Sequence, residues 1–346
     1  MDPAQLHQFL AQNNFPEFRY RQIVKNYYSG RYSDYSDMSD ISKDLRQQLA
    51  DLFPLYSTKL SSLQTNQSTQ KALLSLKDGL QIETVLMDYE DWLTACISTQ
   101  VGCSLGCRFC ATGQMGFKRD LSSEEIIDQI IFWKHKISPL SKGEAPAKAG
   151  ERDLKVGRVV FMGMGEPFLN WENLVSALKI INSKDGLNIG QRKISISTAG
   201  LPQKIMEFAD LNTEINLAIS LHSLDQKIRE YLMPIAKQYP LRELLKACQY
   251  YTSHTRRQLF LEYALVKDQN DSPRHLKLII DLLKSNNLFF LNLIPLNPTS
   301  ADLSPSDPII QKHFEIELQK NHLNFSVRRS FGQDISAACG QLASRN

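Results

Sequence analysis

The chain has 346 residues, 42% of them hydrophobic, with 40 Lys and Arg against 37 Asp and Glu and a net charge of +3. That length allows two or three domains and a sizeable core, and no run of about 18 apolar residues supplies a membrane span. The charge is too small to announce a nucleic-acid partner, and six clustered cysteines in so long a chain do not read as a secreted disulfide framework. The opening MDPAQLHQFLAQNN has neither a basic n-region nor an apolar h-region, so a cytoplasmic location is expected.

Residues 1–53 read as a small helical domain. Leu6, Phe9 and Leu10 fall at helical spacing, and Ile41, Leu45, Leu49 and Leu52 repeat the stripe before Pro54 closes it. Between them PEFRYRQIVKNYYSGRYSDYSD interleaves Arg, Lys and Tyr. Such a mixture can follow an RNA backbone and stack on bases, or the tyrosines can pack a small core. Residues 71–87 change to period two, with Asp78-Gly79 between two alternating runs. This predicts an antiparallel hairpin with a type I′ turn. Glu83 lies on its second strand, where an isolated glutamate ordinarily faces solvent.

Four of the six cysteines then fall within fifteen residues, Cys96 to Cys110. Cys103, Cys107 and Cys110 form a C-x3-C-x2-C loop, with Gly102 and Gly106 letting the backbone wrap a bulky ligand. Three thiolates suit a cubane iron–sulfur cluster with one iron left open to chelate a small molecule. Structural zinc is the alternative, with Cys96 as a fourth ligand. Ser122 and Glu125 then make a capping box that starts a helix with Ile126, Ile127, Ile130 and Ile131 on one face. Lys136 to Arg158 lacks periodicity and reads as a surface loop or insertion.

Apolar runs at 95–98, 158–162, 193–197, 215–220, 259–266 and 289–294 alternate with helical stretches, which implies a parallel sheet covered on both faces or curled into a barrel. Most of these runs end in small or polar residues: the cysteines, Gly163 to Glu166, Ser197-Thr198, Ser220 to His222, and Asn297. Active sites of β/α barrels gather at the C-terminal ends of strands, so one shared cavity is expected. Cys248, in the helical pattern LRELLKACQYY, reads as a small buried hydrophobe. Cys339 sits instead in a polar, small-residue tail, a setting where a thiolate can react. The pairs Lys118-Arg119, Arg192-Lys193, Arg256-Arg257 and Arg328-Arg329 could contact phosphate or simply form a solvated face.

C-x3-C-x2-C with Phe109 before the last cysteine resembles the signature of radical S-adenosylmethionine (SAM) enzymes. CISTQVGCSLGCRFCATGQMGFKR, FMGMGEPFLN, ISISTAG, AISLHS, LIPLNP and DISAACGQL resemble, in the same order and over nearly the whole chain, the RlmN/Cfr family of RNA adenine methyltransferases. The resemblance implies an α/β fold: a six-stranded partial (β/α) barrel of radical SAM type, with a small N-terminal helical domain and a β-hairpin extension. The corresponding division is 1–53, 54–92, 93–300 and 301–346, and the first unit resembles a helix-hairpin-helix RNA-binding domain.

By the same resemblance, Cys103, Cys107 and Cys110 hold a [4Fe-4S] cluster, and Gly165, Glu166, Ser197, Ser220, Leu221, His222 and Asn297 contact SAM. Cys339 accepts a methyl group from one SAM, a second SAM yields a 5′-deoxyadenosyl radical that activates that methyl, and Cys96 releases the product as a disulfide. Glu83 is implied as a general base. C2 or C8 of adenine has no nucleophilic lone pair, so direct methyl transfer from a sulfonium is implausible and a radical route is required. The implied substrate is C2 of an adenosine in the peptidyl transferase region of 23S rRNA, with tRNA next to the anticodon as a second. Pro167 after Glu166 resembles the C2 branch more than the C8 branch. An electron donor such as flavodoxin or ferredoxin, a monomer and no membrane complete the expectation. Two rivals remain, a radical SAM enzyme acting on a protein or metabolite, in which Cys339 would be incidental, and a zinc-bound RNA-binding module.

Overall fold

The computed structural model describes residues 1, 3–137, 155–299 and 302–343. Most of the loop expected at Lys136 to Arg158 lies outside the described residues. Three helices lead the chain, α1 (Pro3–Gln12), α2 (Glu17–Ser29) and α3 (Lys43–Leu52). Their apolar stripes meet as expected except at Leu52, which is exposed because it ends its helix. Phe53 turns inward in its place and packs edge-on against Phe9. Tyr27, Tyr28 and Tyr35 are buried, so for these three the packing reading holds. The Tyr27 hydroxyl donates to Asp128 Oδ1 at 2.5 Å, and Lys134 Nζ donates to the Tyr28 carbonyl, docking the helical unit on the helix after the cysteine loop.

An antiparallel meander follows, β1 (Thr58–Thr65), β2 (Thr69–Leu76) and β3 (Gln81–Asp88). β1 went unread in the sequence because TKLSSLQT is an exposed edge strand with no apolar face to reveal it. The β2–β3 turn corrects the type I′ expectation. Gly79 alone has positive φ, at 83°, Gly79 N donates to Leu76 O, and Leu76 N pairs with Leu80 O. That is a three-residue loop, a type I turn closed by a left-handed glycine, so Asp78 never needs the strained region.

β4 (Leu93–Cys96) pairs antiparallel with β3. The short ladder of β5 (Gln100–Gly102) and β6 (Phe117–Asp120) then brackets the cysteine loop and its helix α4 (Ala111–Gln114). The next helix, α5 (Ser123–Lys136), starts at the expected capping box: Ser122 Oγ accepts from Glu125 N, and Glu125 Oε2 accepts from Ser122 N. Thereafter strands and helices alternate: β7 (Val156–Phe161), α6 (Trp171–Asn182), β8 (Ile194–Thr198), α7 (Pro202–Asp210), β9 (Asn216–Ser220), α8 (Gln226–Leu232) and α9 (Leu241–Thr255). The series closes with β10 (Leu259–Leu265), α10 (Pro273–Ser285), β11 (Phe289–Pro295), α11 (Pro308–Lys320) and β12 (Phe325–Val327).

All strands from β4 to β12 in the order β4-β7-β8-β9-β10-β11-β12 run parallel, so the six expected strands and the last one form a single curled sheet extended by the meander. β4 and β12 do not pair, which leaves the barrel open along one side. Cys248 on α9 is buried. No helix of the described residues is long and apolar enough to cross a membrane.

Candidate active site

Residues at the C-terminal ends of the strands line one cavity. Cys103, Cys107 and Cys110 line it together, at the lip formed by the loop between β5 and α4. Gly102 makes that loop possible: at φ 74°, an added Cβ would stand 1.8 Å from Gly116 O across the β5–β6 ladder. Cys103 N donates to the same Gly116 carbonyl, and Arg108 N donates to Leu232 O, tying the loop to α8.

The donor set can be tested against the group it is expected to hold. Structural zinc closes its shell with a fourth protein ligand, yet Cys96, the candidate for it, does not line the cavity that the triplet lines. Three thiols on one cavity wall fit a cubane with one iron left open. Burial pushes Cys103 up to about 12 and Cys107 well above the ordinary thiol value, so a bound cluster must displace their protons.

Gly165, Glu166, Ser197, Ser220, His222 and Asn297 line the same cavity. Glu166 is buried, and its carboxylate is also structural. Oε1 accepts from Phe168 N at 3.0 Å and Oε2 from Ala199 N at 2.7 Å, fastening the β7 loop to the end of β8. Burial raises its pKa despite these bonds. Glu166→Ala should therefore act twice. Losing two bonds to a charged acceptor, each worth about 1.5–3 kcal/mol, should lower the melting temperature by several degrees, and SAM affinity by calorimetry should fall while bound iron is kept. Wild-type SAM affinity in that variant would remove Glu166 from the ligand site.

His222 is held in a fixed tautomer. Its Nδ1 accepts from Ala264 N at 3.0 Å, so the proton sits on Nε2, and burial lowers its pKa to about 3. It presents a neutral imidazole, edge-on to Phe109 with ring centroids 4.6 Å apart. Leu221 differs from its neighbours. Its side chain is buried and does not line the cavity, its N–H donates to Glu262 O, and its carbonyl accepts from Arg229 Nε.

Cys339 lines this cavity and also a second one, in which Cys96 at the end of β4 forms part of the wall. Cys339 keeps accessible surface, but that surface faces the cavities. Enclosure by protein pushes its thiol up to about 11, with Glu262 adding to the rise and Arg328 opposing it. Cys96 is pushed up to about 12, first by burial and then by the Cys339 sulfur. The tail reaches this position through bonds distant in sequence. Asn297 Nδ2 donates to Cys339 O, Ala111 N to Gly340 O, and Thr112 Oγ1 to Leu342 O.

Glu83 is buried, not solvated, and stands outside both cavities. Lys71 Nζ lies 2.8 Å from its Oε1, and Ala343 N donates to its Oε2 at 2.7 Å, so it anchors the tail that carries Cys339. Sequence reasoning missed two charged residues. Glu262 is buried between Asn292 Nδ2 and Arg328 Nη2, at 3.0 and 2.8 Å, and Arg229 is fully buried, donating to the carbonyls of Ala199, Ser220 and Leu221. Charged residues inside the runs LFLEYAL and QKIREYL were the available signal.

Residues 97–279 match the model of the radical SAM superfamily, and residues 1–54 that of the ribosomal RNA large subunit methyltransferase N-terminal domain. A "Probable dual-specificity RNA methyltransferase RlmN" of Bacillus subtilis is 41% identical over 345 residues, covering 99% of this chain and 91% of the relative. A relative of the same name from Rhodococcus erythropolis is 37% identical over 355 residues, covering 100% and 94%. The crystal structure of a radical SAM methyltransferase from Sphaerobacter thermophilus superposes with a TM-score of 0.91 at 37% identity, covering 100% of this chain and 98% of that one.

Proposed function

The chain belongs to the RlmN family of radical SAM RNA methyltransferases, and from that premise we propose that it methylates C2 of an adenosine in the peptidyl transferase region of 23S rRNA and of the tRNA adenosine next to the anticodon. The observation that carries this reading is the position of Cys339 on the wall between two cavities, one lined by the cysteine triplet and the other by Cys96. A sulfur so placed can take a methyl group on one side and hand it to a base on the other. The relatives' names, which call them dual-specificity RNA methyltransferases, support the dual target.

When bound by Cys103, Cys107 and Cys110, a [4Fe-4S] cluster supplies the electron that splits SAM reductively. Cys339 must first lose a proton to accept a methyl group, and the Arg328 guanidinium beside it favours the thiolate. The Cys339 methyl carbon, after losing a hydrogen atom to the 5′-deoxyadenosyl radical, adds to C2 of adenine, and the adduct gives up one electron, which returns to the one-electron carrier. After the ring proton leaves, Cys96 attacks the Cys339 sulfur, the sulfur–carbon bond breaks, the released carbon gains a proton, and a disulfide remains for an external thiol to reduce. Glu83, outside both cavities, holds the tail through Ala343 N and as docked does not reach the ring proton. Residues 1–53 are read as the RNA-binding unit, and flavodoxin or ferredoxin as the electron donor.

The test is mass spectrometry of nucleosides from a 23S rRNA fragment and from tRNA after reaction with the reconstituted protein. 2-Methyladenosine is expected from both. 8-Methyladenosine would overturn the C2 assignment, and unmodified tRNA the dual target.

A further inference from the structure

Beyond β12 the chain has no ladder to hold it: among the described residues its one regular element is a three-residue helical turn, Gln333–Ile335. Such a segment must find hydrogen bonds in other elements, and the meander supplies them. Asn66 Nδ2, in the β1–β2 turn, donates to Asp334 Oδ1 at 2.6 Å, and the buried Lys71 Nζ donates to Ser336 O at 3.3 Å. The same ammonium lies 2.8 Å from Glu83 Oε1, whose other oxygen accepts from Ala343 N at 2.7 Å. Lys71 thus reaches the tail three residues before Cys339 and, through Glu83, four residues after it. The backbone it grips is bent. Ser336 has φ 51°, in the left-handed region that a serine seldom adopts. Gly332, at φ 68°, passes so near β2 that an added Cβ would stand 2.9 Å from Thr69 Cγ2.

Resting on the two-cysteine reading, we infer that the meander is a clamp for the tail and that Lys71 is the residue that positions Cys339 for Cys96. The barrel grips the tail at the carbonyls of Cys339, Gly340 and Leu342, one short stretch. The meander grips both flanks of that stretch, and a loop held at both flanks keeps its sulfur where the other thiol can reach it. A lysine suits the task because one ammonium carries three donors and can bind a carboxylate and a carbonyl together. Burial strengthens both contacts. Lys71 lines neither of the cavities that Cys339 borders, so it acts through the tail and not on the reacting atoms. It stands instead beside a third cavity, which has room for a longer side chain.

Thiol–disulfide exchange of the reconstituted full-length protein with reduced and oxidised glutathione, without oxygen, measures how well the tail presents one sulfur to the other. Two cysteine thiols are oxidised while one glutathione disulfide is reduced to two thiols, and the equilibrium constant gives the effective concentration of Cys339 at Cys96. Mass spectrometry of the linked peptides reads it. Lys71→Met should lower that constant about tenfold, for the loss of one bond to a charged group, and should lower kcat about tenfold with KM for RNA unchanged. Lys71→Arg should restore both. A wild-type constant in folded Lys71→Met would overturn the clamp and leave positioning to the barrel's bonds. Where loss of the cation beside buried Glu83 unfolds that variant, Asn66→Asp decides. It keeps the acceptor for Ser68 N in the turn but sets two carboxylates face to face. The constant should fall about threefold, less because this pair is exposed, and Asp334→Asn in the same chain should restore it. An unchanged constant there would equally overturn the clamp. Wild-type protein that forms no Cys96–Cys339 disulfide would instead overturn the two-cysteine reading, and the clamp with it.

Discussion

Cys96→Ala protein should accumulate a covalent adduct with its RNA substrate, and Cys339→Ala should accumulate none. The difference follows from the order of bonds. Cys339 is needed first, as methyl acceptor, so its removal leaves nothing to attach to adenine and product falls to background. Cys96 acts only after the carbon–carbon bond exists. Without it, the protein loads a methyl on Cys339, reacts once and stops with Cys339 joined to the base. The cavities allow this separation, because Cys339 borders both and Cys96 only the second. A thiol-insensitive species that ribonuclease shifts on a denaturing gel should appear in Cys96→Ala alone. Normal turnover by that variant, or the same adduct from Cys339→Ala, would end the two-cysteine scheme.

Cys107→Ala should lose bound iron and reductive SAM cleavage together. Three thiols are all that the loop offers. Cys107 is buried, and an alanine there gives iron no comparable ligand. Iron and sulfide analysis after anaerobic reconstitution should read near zero, and 5′-deoxyadenosine should stay at background. A full brown cluster in this variant would sink the assignment of the triplet. Zinc in stoichiometric amount, in wild-type protein purified without oxygen, would sink the cluster itself.

Much of the molecule was legible because its signals are local. The cysteine triplet spans eight residues on one loop, the capping box of α5 four, and most barrel strands announce themselves by a short apolar run ending in small or polar residues. β/α alternation then implies a parallel sheet, and a parallel sheet carries those strand ends to one rim. Ser197, Ser220, His222 and Asn297 could be assigned to one cavity before any coordinates, since strand direction alone decides which end they occupy. The turn at Asp78-Gly79 was legible as a turn but not as a type. Asn-Gly and Asp-Gly serve two-residue and bulged loops alike, and only the Leu76–Leu80 pairing selects between them.

What the tertiary structure alone decided are the meetings between residues far apart in the chain. Glu83 looks solvated on its strand, but the tail arrives over β3 and gives its carboxylate Lys71 and the Ala343 N–H. Cys339 is exposed as its polar segment suggests, but only the bonds from Asn297, Ala111 and Thr112 pin that segment so that its thiol borders two cavities. Arg158, Lys193 and Arg329 look like scattered surface cations until the sheet curls and turns them toward one opening. The physical reason is the range of the forces that write the pattern. Backbone periodicity and turn preference act over a few residues and leave a mark in sequence, whereas the curl of a sheet and the docking of a tail are set by packing and hydrogen bonds summed over the whole chain.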